Sequence, residues 1–162
     1  MFQRLKKLAA NTKTLKSKLI FRIVFQNNEV QDLVLDLNVF EQLFKESELA
    51  DGNIIDKGYS RNTGEANQGG SFNLSNSKGE SFSRKKEQGE PYFLLDTGDF
   101  YKSFKVKVLD DSFVIIAETI KEDGTDLLKY GDLLGLTNES KAKIIKEIIP
   151  FVIQETRKII TG

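Results

Sequence analysis

The sequence lacks histidine, cysteine and tryptophan altogether. The absence of histidine and cysteine excludes Ser-His-Asp and Cys-His nucleophile systems, zinc sites built from these ligands, and thiol redox chemistry. No disulfide can form, so the stability of the fold must come from packing or from partners, as suits a protein made in a reducing cytosol. Carboxylates, lysines and hydroxyls are the reactive side chains that remain.

An overall charge of one sign is also missing, because 24 basic and 24 acidic side chains cancel. This balance argues against general binding of polyanions, but the charges are unevenly distributed. Residues 1–28 carry seven basic side chains and no acid, whereas residues 29–57 carry eight acids and two lysines. The basic side chains of the first segment are Arg4, Lys6, Lys7, Lys13, Lys16, Lys18 and Arg22.

Long apolar runs are absent too. Lysines and arginines interrupt the first 25 residues, so no export signal is predicted, and no run approaches the about 20 apolar residues that cross a bilayer. We therefore expect a soluble protein with no membrane partner. Its 162 residues suffice for one domain with a conventional core. We predict a single domain over 1–162, with a helical part (1–50), a long flexible loop or arm (51–91), and a β-hairpin followed by a C-terminal helix (92–162).

Helical periodicity dominates the first 50 residues. Apolar residues recur every three or four positions, which predicts a first helix over about 2–24 whose opposite face is basic. After two asparagines the pattern resumes and predicts a second helix, or two short ones, up to Ala50. A strand over 33–37 is the alternative, because leucines and polar residues alternate there.

Residues 51–91 contain seven of the 12 glycines, together with many serines and asparagines. Such a segment cannot build a core of its own, and its length indicates a functional loop or a disordered segment. Phe72, Leu74 and Phe82 flank the turn-rich residues 75–79, which predicts a hairpin arm that projects from the body. An unstructured surface loop is the alternative interpretation.

Regular structure is predicted again after Pro91. Thr97 is placed to cap a short helix that has Asp99 in its first turn. Residues 104–108 and 113–116 then predict a strand pair joined by a turn. The second strand of this pair is apolar on both faces, which predicts that it is covered on both sides.

The last 40 residues are predicted to be helical. Asp123-Gly124 should open a short helix that ends near Tyr130-Gly131. Thr137 should cap a long final helix with a wide apolar stripe, which Pro150 should kink or restart. Together these elements predict an α+β fold, in which a small antiparallel sheet packs against N-terminal and C-terminal helices.

No residue pattern in the sequence fits a catalytic or metal site. Asp51, Asn53 and Asp56 lack the alternate oxygen donors, central glycine and terminal glutamate of a calcium loop. The aspartates at positions 96, 99, 110 and 111 lack a metal-binding pattern as well, so we interpret both sets as turn and cap residues. No phosphate-binding loop occurs. We therefore expect no enzyme activity and no cofactor.

The basic face of the first helix is the leading candidate for an interaction. It can be solvated, or it can contact the acidic 29–57 region of a neighbouring copy, which would favour a ring or a stack. Weak nonspecific contact with DNA phosphates is the alternative, although no aromatic residue lies on that face to stack on bases. The candidate interaction residues are Arg4, Lys6, Lys7, Lys13, Lys16 and Lys18, with Phe72, Leu74 and Phe82 in the arm.

Two short motifs resemble a known family. Residues 95–104 read LDTGDFYKSF and precede the predicted strand pair, and residues 134–140 read LGLTNES and precede the final helix. In this order the motifs resemble the bacteriophage virion-morphogenesis proteins, which include tail-completion and head–tail joining proteins. Residues 90–150 carry most of the resemblance. In the first half, three shorter runs are similar to versions from phages of Bacteroidetes, namely Leu37-Asn38, Gln42-Leu43-Phe44 and Asp51-Gly52.

The resemblance implies a structural protein of the virion neck or tail that joins head and tail through ring-like homo-oligomeric contacts. Its partners would be other copies of itself and a portal, connector or tail protein. It would be made in the bacterial host cytoplasm, function in the virion and have no active site. The motif residues would have scaffold roles: Thr97 and Gly98 in the turn, Phe100, Tyr101 and Phe104 in packing, and Gly135 and Thr137 before the closing helix.

Overall fold

The computed structural model describes residues 17–55, 58–60 and 71–161, and these residues adopt an α+β fold, as the sequence predicts. Within this part of the chain the strands form two separate antiparallel hairpins, β1–β2 and β3–β4. The elements follow in the order α1 (Ser17–Phe25), α2 (Asn28–Leu35), a π-helix (Asp36–Glu46), β1 (Phe72–Ser75), β2 (Ser81–Arg84), α3 (Asp99–Lys102), β3 (Lys105–Val108), β4 (Phe113–Ile116), a 3-10 helix (Leu127–Tyr130) and α4 (Asn138–Thr161).

Two helices open the described part of the chain. Of the helix predicted over 2–24, residues 17–24 are helical, and residues 2–16 lie outside the described residues. The first helix, α1, ends at Phe25. Asn27 caps α2, because its side chain accepts a hydrogen bond from the backbone N–H of Glu29 at 2.9 Å. The alternative of a strand over 33–37 is wrong, since α2 continues into the π-helix without a break.

The second predicted helix is therefore two different helices in series. In the π-helix each backbone N–H bonds five residues back, which widens the helix compared with the α form. Seven of its 11 residues are buried, so the core surrounds most of its circumference. Two of the seven are the polar residues Asn38 and Gln42. The helix ends at Ser47, whose φ of 55° is left-handed.

The core forms where the π-helix meets the segment that precedes α3. Phe44 and Phe93 are fully buried there, with their rings edge-on at 5.4 Å. The Tyr101 ring lies edge-on to Phe44 at 6.4 Å. Such pairs contribute about 0.5–1.5 kcal/mol each beyond their buried area. Ile55 and Tyr59 are also buried in this core, so the glycine-rich segment contributes to it.

The β1–β2 hairpin lies against the body, so the prediction of a projecting arm is wrong. Its strands pair with Phe72 opposite Arg84 and Leu74 opposite Phe82. Phe72 and Leu74 pack against the core, and the Phe82 ring lies edge-on to Phe44 at 6.2 Å. The alternative of an unstructured loop is wrong for residues 71–91. The hairpin lies against the body because contact with the core removes the apolar surface of its side chains from water.

The β3–β4 hairpin confirms the predicted strand pair, with Val106 opposite Ile115. Cover on both sides is contradicted, because only one face of β4 lies on the body. Ile115 is buried, whereas Val114 and Ile116 are 42% and 43% exposed. No element of the described ranges covers the second face of this hairpin. On that face Val114 and Ile116 of β4 pair with the exposed lysines of β3.

One prediction for the last 40 residues is wrong in detail, and one of the two alternatives for Pro150 is excluded. Asp123-Gly124 forms a turn that closes the bridge between Ile120 and Asp126, and the 3-10 helix begins only at Leu127. This helix does end at Tyr130, before Gly131 with its φ of 129°. The long helix α4 continues through Pro150, so it does not restart there.

Candidate interaction surfaces

The threonine-glycine turn at 97–98 is held by local contacts and by one buried tyrosine. Gly98, with a φ of 85°, occupies the cap position before α3, which corrects the prediction of Thr97. The Thr97 hydroxyl still accepts from the backbone N–H of Asp99 at 3.3 Å and donates to the Asp99 carboxylate at 2.5 Å. The Tyr101 hydroxyl donates to the carbonyl of Phe93. Burial raises the pKa of Tyr101 well above its ordinary value, so the phenol stays protonated as a donor.

The aromatic residues in and directly after α3 pack against one another. The Phe100 and Phe104 rings lie edge-on at 4.9 Å, and Phe104 is buried. The Ser103 hydroxyl donates to the carbonyl of Phe100 at 2.6 Å and accepts from the backbone N–H of Glu118 at 2.9 Å. This contact ties α3 to the segment that follows β4. These residues therefore act inside the fold.

The loop at 133–137 is held by two buried amide side chains of the π-helix, which we term the amide clamp. Asn38 Nδ2 donates to the carbonyls of Leu133 and Gly135 at 3.2 and 2.7 Å. Gln42 Nε2 donates to the same Gly135 carbonyl at 3.0 Å, and Gln42 Oε1 accepts from the backbone N–H of Thr137 at 3.1 Å. The clamp thereby satisfies polar backbone groups that the core removes from water.

Gly135 and Thr137 both have structural roles in this loop. A Cβ on Gly135 would lie 2.8 Å from the Cβ of Ala50, so a side chain has no room there. Thr137 caps α4 as predicted, because its hydroxyl accepts from the backbone N–H of Ser140 at 3.1 Å. Sequence reasoning missed the amide clamp. The available signal was a pair of amides, Asn38 and Gln42, spaced by four within an apolar helix.

Arg84 joins the β1–β2 hairpin to the end of the π-helix. Its guanidinium donates to the carbonyl of Phe44 at 2.8 Å and to the hydroxyl of Ser47 at 2.7 Å. It also lies 4.6 Å from the centroid of the Phe93 ring. The last carbonyls of a helix have no partner within the helix, and Arg84 supplies one. The hairpin is thus a structural cover on the π-helix.

Lys86 is the most buried lysine of this region. Its ammonium lies 4.2 Å from the centroid of the Phe72 ring and 3.6 Å from the Asp96 carboxylate. Burial lowers the pKa of Lys86, and Asp96 opposes this shift. These contacts account for Phe72, and the ring pair with Phe44 accounts for Phe82. Phe72 and Leu74 therefore pack within the fold, whereas Phe82 contacts Phe44 and is 37% exposed.

The basic N-terminal face is only partly described. Arg4, Lys6, Lys7, Lys13 and Lys16 lie outside the described residues. Lys18 donates to the Asp111 carboxylate at 2.7 Å, and Arg22 lies 3.8 Å from the Asp110 carboxylate. The hydrogen bond raises the pKa of Lys18 and lowers that of Asp111. All four side chains are exposed, so contacts of this kind add little to stability.

Acidic side chains are exposed at both ends of the segment that follows α1. Glu29 and Asp32 lie on α2, and Glu46 lies at the end of the π-helix. Asp36 is engaged within the fold, because it accepts from the backbone N–H of Ser77 at 2.9 Å. Glu41 pairs with Lys45 at 3.2 Å. Part of the acidic excess therefore faces solvent.

No group of three or more acidic side chains among the described residues could hold a metal ion. An open groove of about 460 Å³ lies between the π-helix, β1 and the turn at 97–98, and its walls are mostly apolar side chains.

None of the helices in the described part of the chain combines the length and apolarity that a bilayer crossing requires.

Comparison with known proteins gives no match. No family model fits the chain, and neither the curated proteins nor the solved structures contain a match to it. The resemblance to the virion-morphogenesis proteins thus depends on the short motifs alone.

Proposed function

We propose that the chain is a structural protein of a tailed bacteriophage, a neck or tail-completion component that joins head and tail through ring-like contacts between copies. The observation that carries the proposal is the position of the two motifs. The Tyr101 hydroxyl joins α3, which follows the threonine-glycine turn, to the segment that precedes the turn. The amide clamp holds the loop that ends at Thr137. These structural contacts of both motifs support the proposal.

The charge distribution supports contact between copies. Residues 1–28 are basic in composition, whereas Glu29, Asp32 and Glu46 present exposed acids. When the basic surface of one copy binds the acidic surface of the next, the contact is head-to-tail. Head-to-tail contacts close into a ring if the rotation between neighbouring copies permits it. Complementary charge also orients the encounter and suppresses wrong pairings.

The mass of the assembly in solution tests the contact between copies. We expect the purified protein to form assemblies of many copies that dissociate as salt increases, because exposed charges are screened. Replacing Lys6, Lys7, Lys13 and Lys16 with glutamine should abolish these assemblies. The matched control replaces four lysines outside that segment with glutamine, namely Lys78, Lys85, Lys105 and Lys107, and should assemble like the wild type.

The same variants distinguish the DNA alternative. If the basic segment contacts DNA, the wild type binds duplex DNA with an affinity that falls steeply with salt, and the first variant loses this affinity. DNA binding without salt-sensitive assembly would contradict the ring. Immunogold electron microscopy tests the location, since label is expected at the neck or tail of the particles. Particles without label would refute the virion role.

A further inference from the structure

The apolar arc of α4 is wider than the part that the body covers. Ile144 is buried, and Ile148, Val152 and Ile159 pack against the core. A second row lies one position, or about 100°, further round the same helix. Its members are Ile145, Ile149 and Ile153, which are 60%, 49% and 46% exposed. We term these three residues the isoleucine stripe.

A stripe of this kind is unusual on a helix that faces water. Residues four apart lie one above the other on a helix, so the three side chains form a continuous apolar ridge. Single exposed apolar residues are common, whereas contiguous ones mark a contact surface. Charged residues occupy the neighbouring part of the helix, including Lys143, Lys146 and Glu147. The stripe is therefore a defined surface with a polar border.

The stripe has the same pattern in both directions from its centre. Isoleucines lie four positions before and after Ile149, and the small residues Ala142 and Thr156 lie seven positions before and after it. In an antiparallel contact about a twofold axis at Ile149, residue 145 of one copy meets residue 153 of the other and residue 149 meets itself, so isoleucine faces isoleucine at all three positions. We propose that the isoleucine stripe binds the same stripe of a second copy, with the two α4 helices antiparallel about a twofold axis at Ile149.

Charges at the two ends of the stripe fit this arrangement. Glu139 and Arg157 are 18 residues apart, or about five turns, so they lie on the same flank of the helix. Glu139 precedes Ile149 by about 15 Å and Arg157 follows it by about 12 Å along the axis. In the antiparallel pair Glu139 of one copy therefore comes level with Arg157 of the other, within about 3 Å. Opposite charges of the two copies meet at both ends of the contact, where Glu139 also lies 2.9 Å from Lys143 of its own helix.

The inference does not depend on the proposed virion role. It concerns a different surface from the basic segment, and an apolar contact persists at high salt, where contacts between exposed charges weaken. The two contacts can therefore be measured separately. In high salt we expect a dimer with twice the monomer mass of 18.4 kDa. A monomer at every concentration would overturn the proposal.

Cysteine crosslinking tests the geometry, because the natural chain has no cysteine. Under mild oxidation Ile149→Cys should form a covalent dimer, since residue 149 meets its own copy at the axis. Gln154→Cys is the matched control, because Gln154 is exposed on the polar side of the same helix and should stay uncrosslinked. Mixing Ile145→Cys with Ile153→Cys should give mixed dimers only if the helices are antiparallel. A dimer that Ile149→Cys does not crosslink would overturn the arrangement.

Charge exchange provides a second test that leaves the stripe intact. Glu139→Arg and Arg157→Glu should each shift the equilibrium towards monomer, and the double variant should restore the dimer. Circular dichroism verifies that each variant keeps its helix content.

A different occupant of the isoleucine stripe gives a different outcome. If removal of residues 1–16 converts a monomer into a dimer, that segment covers the stripe in the same chain, and the proposal is overturned.

Discussion

The amide clamp leads to a quantitative prediction for Gln42→Met. Methionine has a similar length and flexibility, but it cannot replace the hydrogen bonds of the amide. Gln42 is only 2% exposed, so water cannot readily take over its role. The substitution removes the acceptor for the backbone N–H of Thr137 and one of the two donors to the Gly135 carbonyl. Asn38 continues to donate to that carbonyl at 2.7 Å.

The expected cost follows from these two losses. A buried donor without a partner costs about 1–3 kcal/mol, and loss of one further hydrogen bond costs about 1 kcal/mol. Gln42→Met should therefore lower the free energy of unfolding by about 2–4 kcal/mol. Because single domains are stable by only about 5–15 kcal/mol, this is a large fraction of the total.

Urea unfolding followed by circular dichroism measures this change. Gln154→Met is the matched control, because Gln154 is exposed on α4, and it should change the free energy of unfolding by less than about 0.5 kcal/mol. If Gln42→Met changes stability no more than this control, the amide does not hold the loop. A double variant that also removes the Asn38 amide should show coupling of at least about 0.5 kcal/mol, since both amides donate to one carbonyl.

Three further predictions concern stability. Arg84→Met should lower the free energy of unfolding by about 2–3 kcal/mol, because two carbonyls and a hydroxyl at the end of the π-helix lose a charged donor; an unchanged thermal unfolding curve would contradict this role. Gly135→Ala should cost about 1–3 kcal/mol through its clash with Ala50, and adding Ala50→Gly should restore stability in the same assay. Burial raises the pKa of Tyr59 to about 12 and that of Tyr101 further above its ordinary value. The unfolded chain releases these protons at about pH 10, so the free energy of unfolding should fall as the pH rises above that value. Ultraviolet absorbance and circular dichroism recorded together during alkaline titration of a Tyr92→Phe/Tyr130→Phe variant should show the two remaining phenols ionising well above pH ~10, and ionisation of either phenol at that pH in the folded protein would refute this.

Local patterns suffice to predict much of the fold. The strands at 105–108 and 113–116 follow from alternation and β-branched residues, and the start of α4 follows from one hydroxyl three residues from its partner. Each of these signals acts within a few positions of the chain. The sequence also predicts the β1–β2 hairpin, through two apolar arms around a turn. Its position against the π-helix depends on Arg84 and Phe44, which are 40 residues apart.

The candidate site depends on contacts of longer range. Asn38 and Gln42 resemble solvated polar positions of a helix, and their partners lie 95 residues further along the chain. The environment of β4 also depends on distant parts of the chain. Its apolar sequence does not distinguish a strand covered on both sides from a strand that is exposed on one side. The π-helix is not predicted either, because its residues satisfy a helical pattern whose exact periodicity a short segment does not define.

The π-helix restricts how the chain can vary in length. Removing one residue between Asn38 and Gln42 would turn every later side chain by the rotation of one residue relative to the earlier ones. Asn38 and Gln42 would then no longer point to the same loop, and the ring of Phe44 would leave its neighbours. Substitutions of similar shape preserve these directions, whereas insertions and deletions do not. In related chains this segment should therefore vary in residue type but keep a constant number of residues.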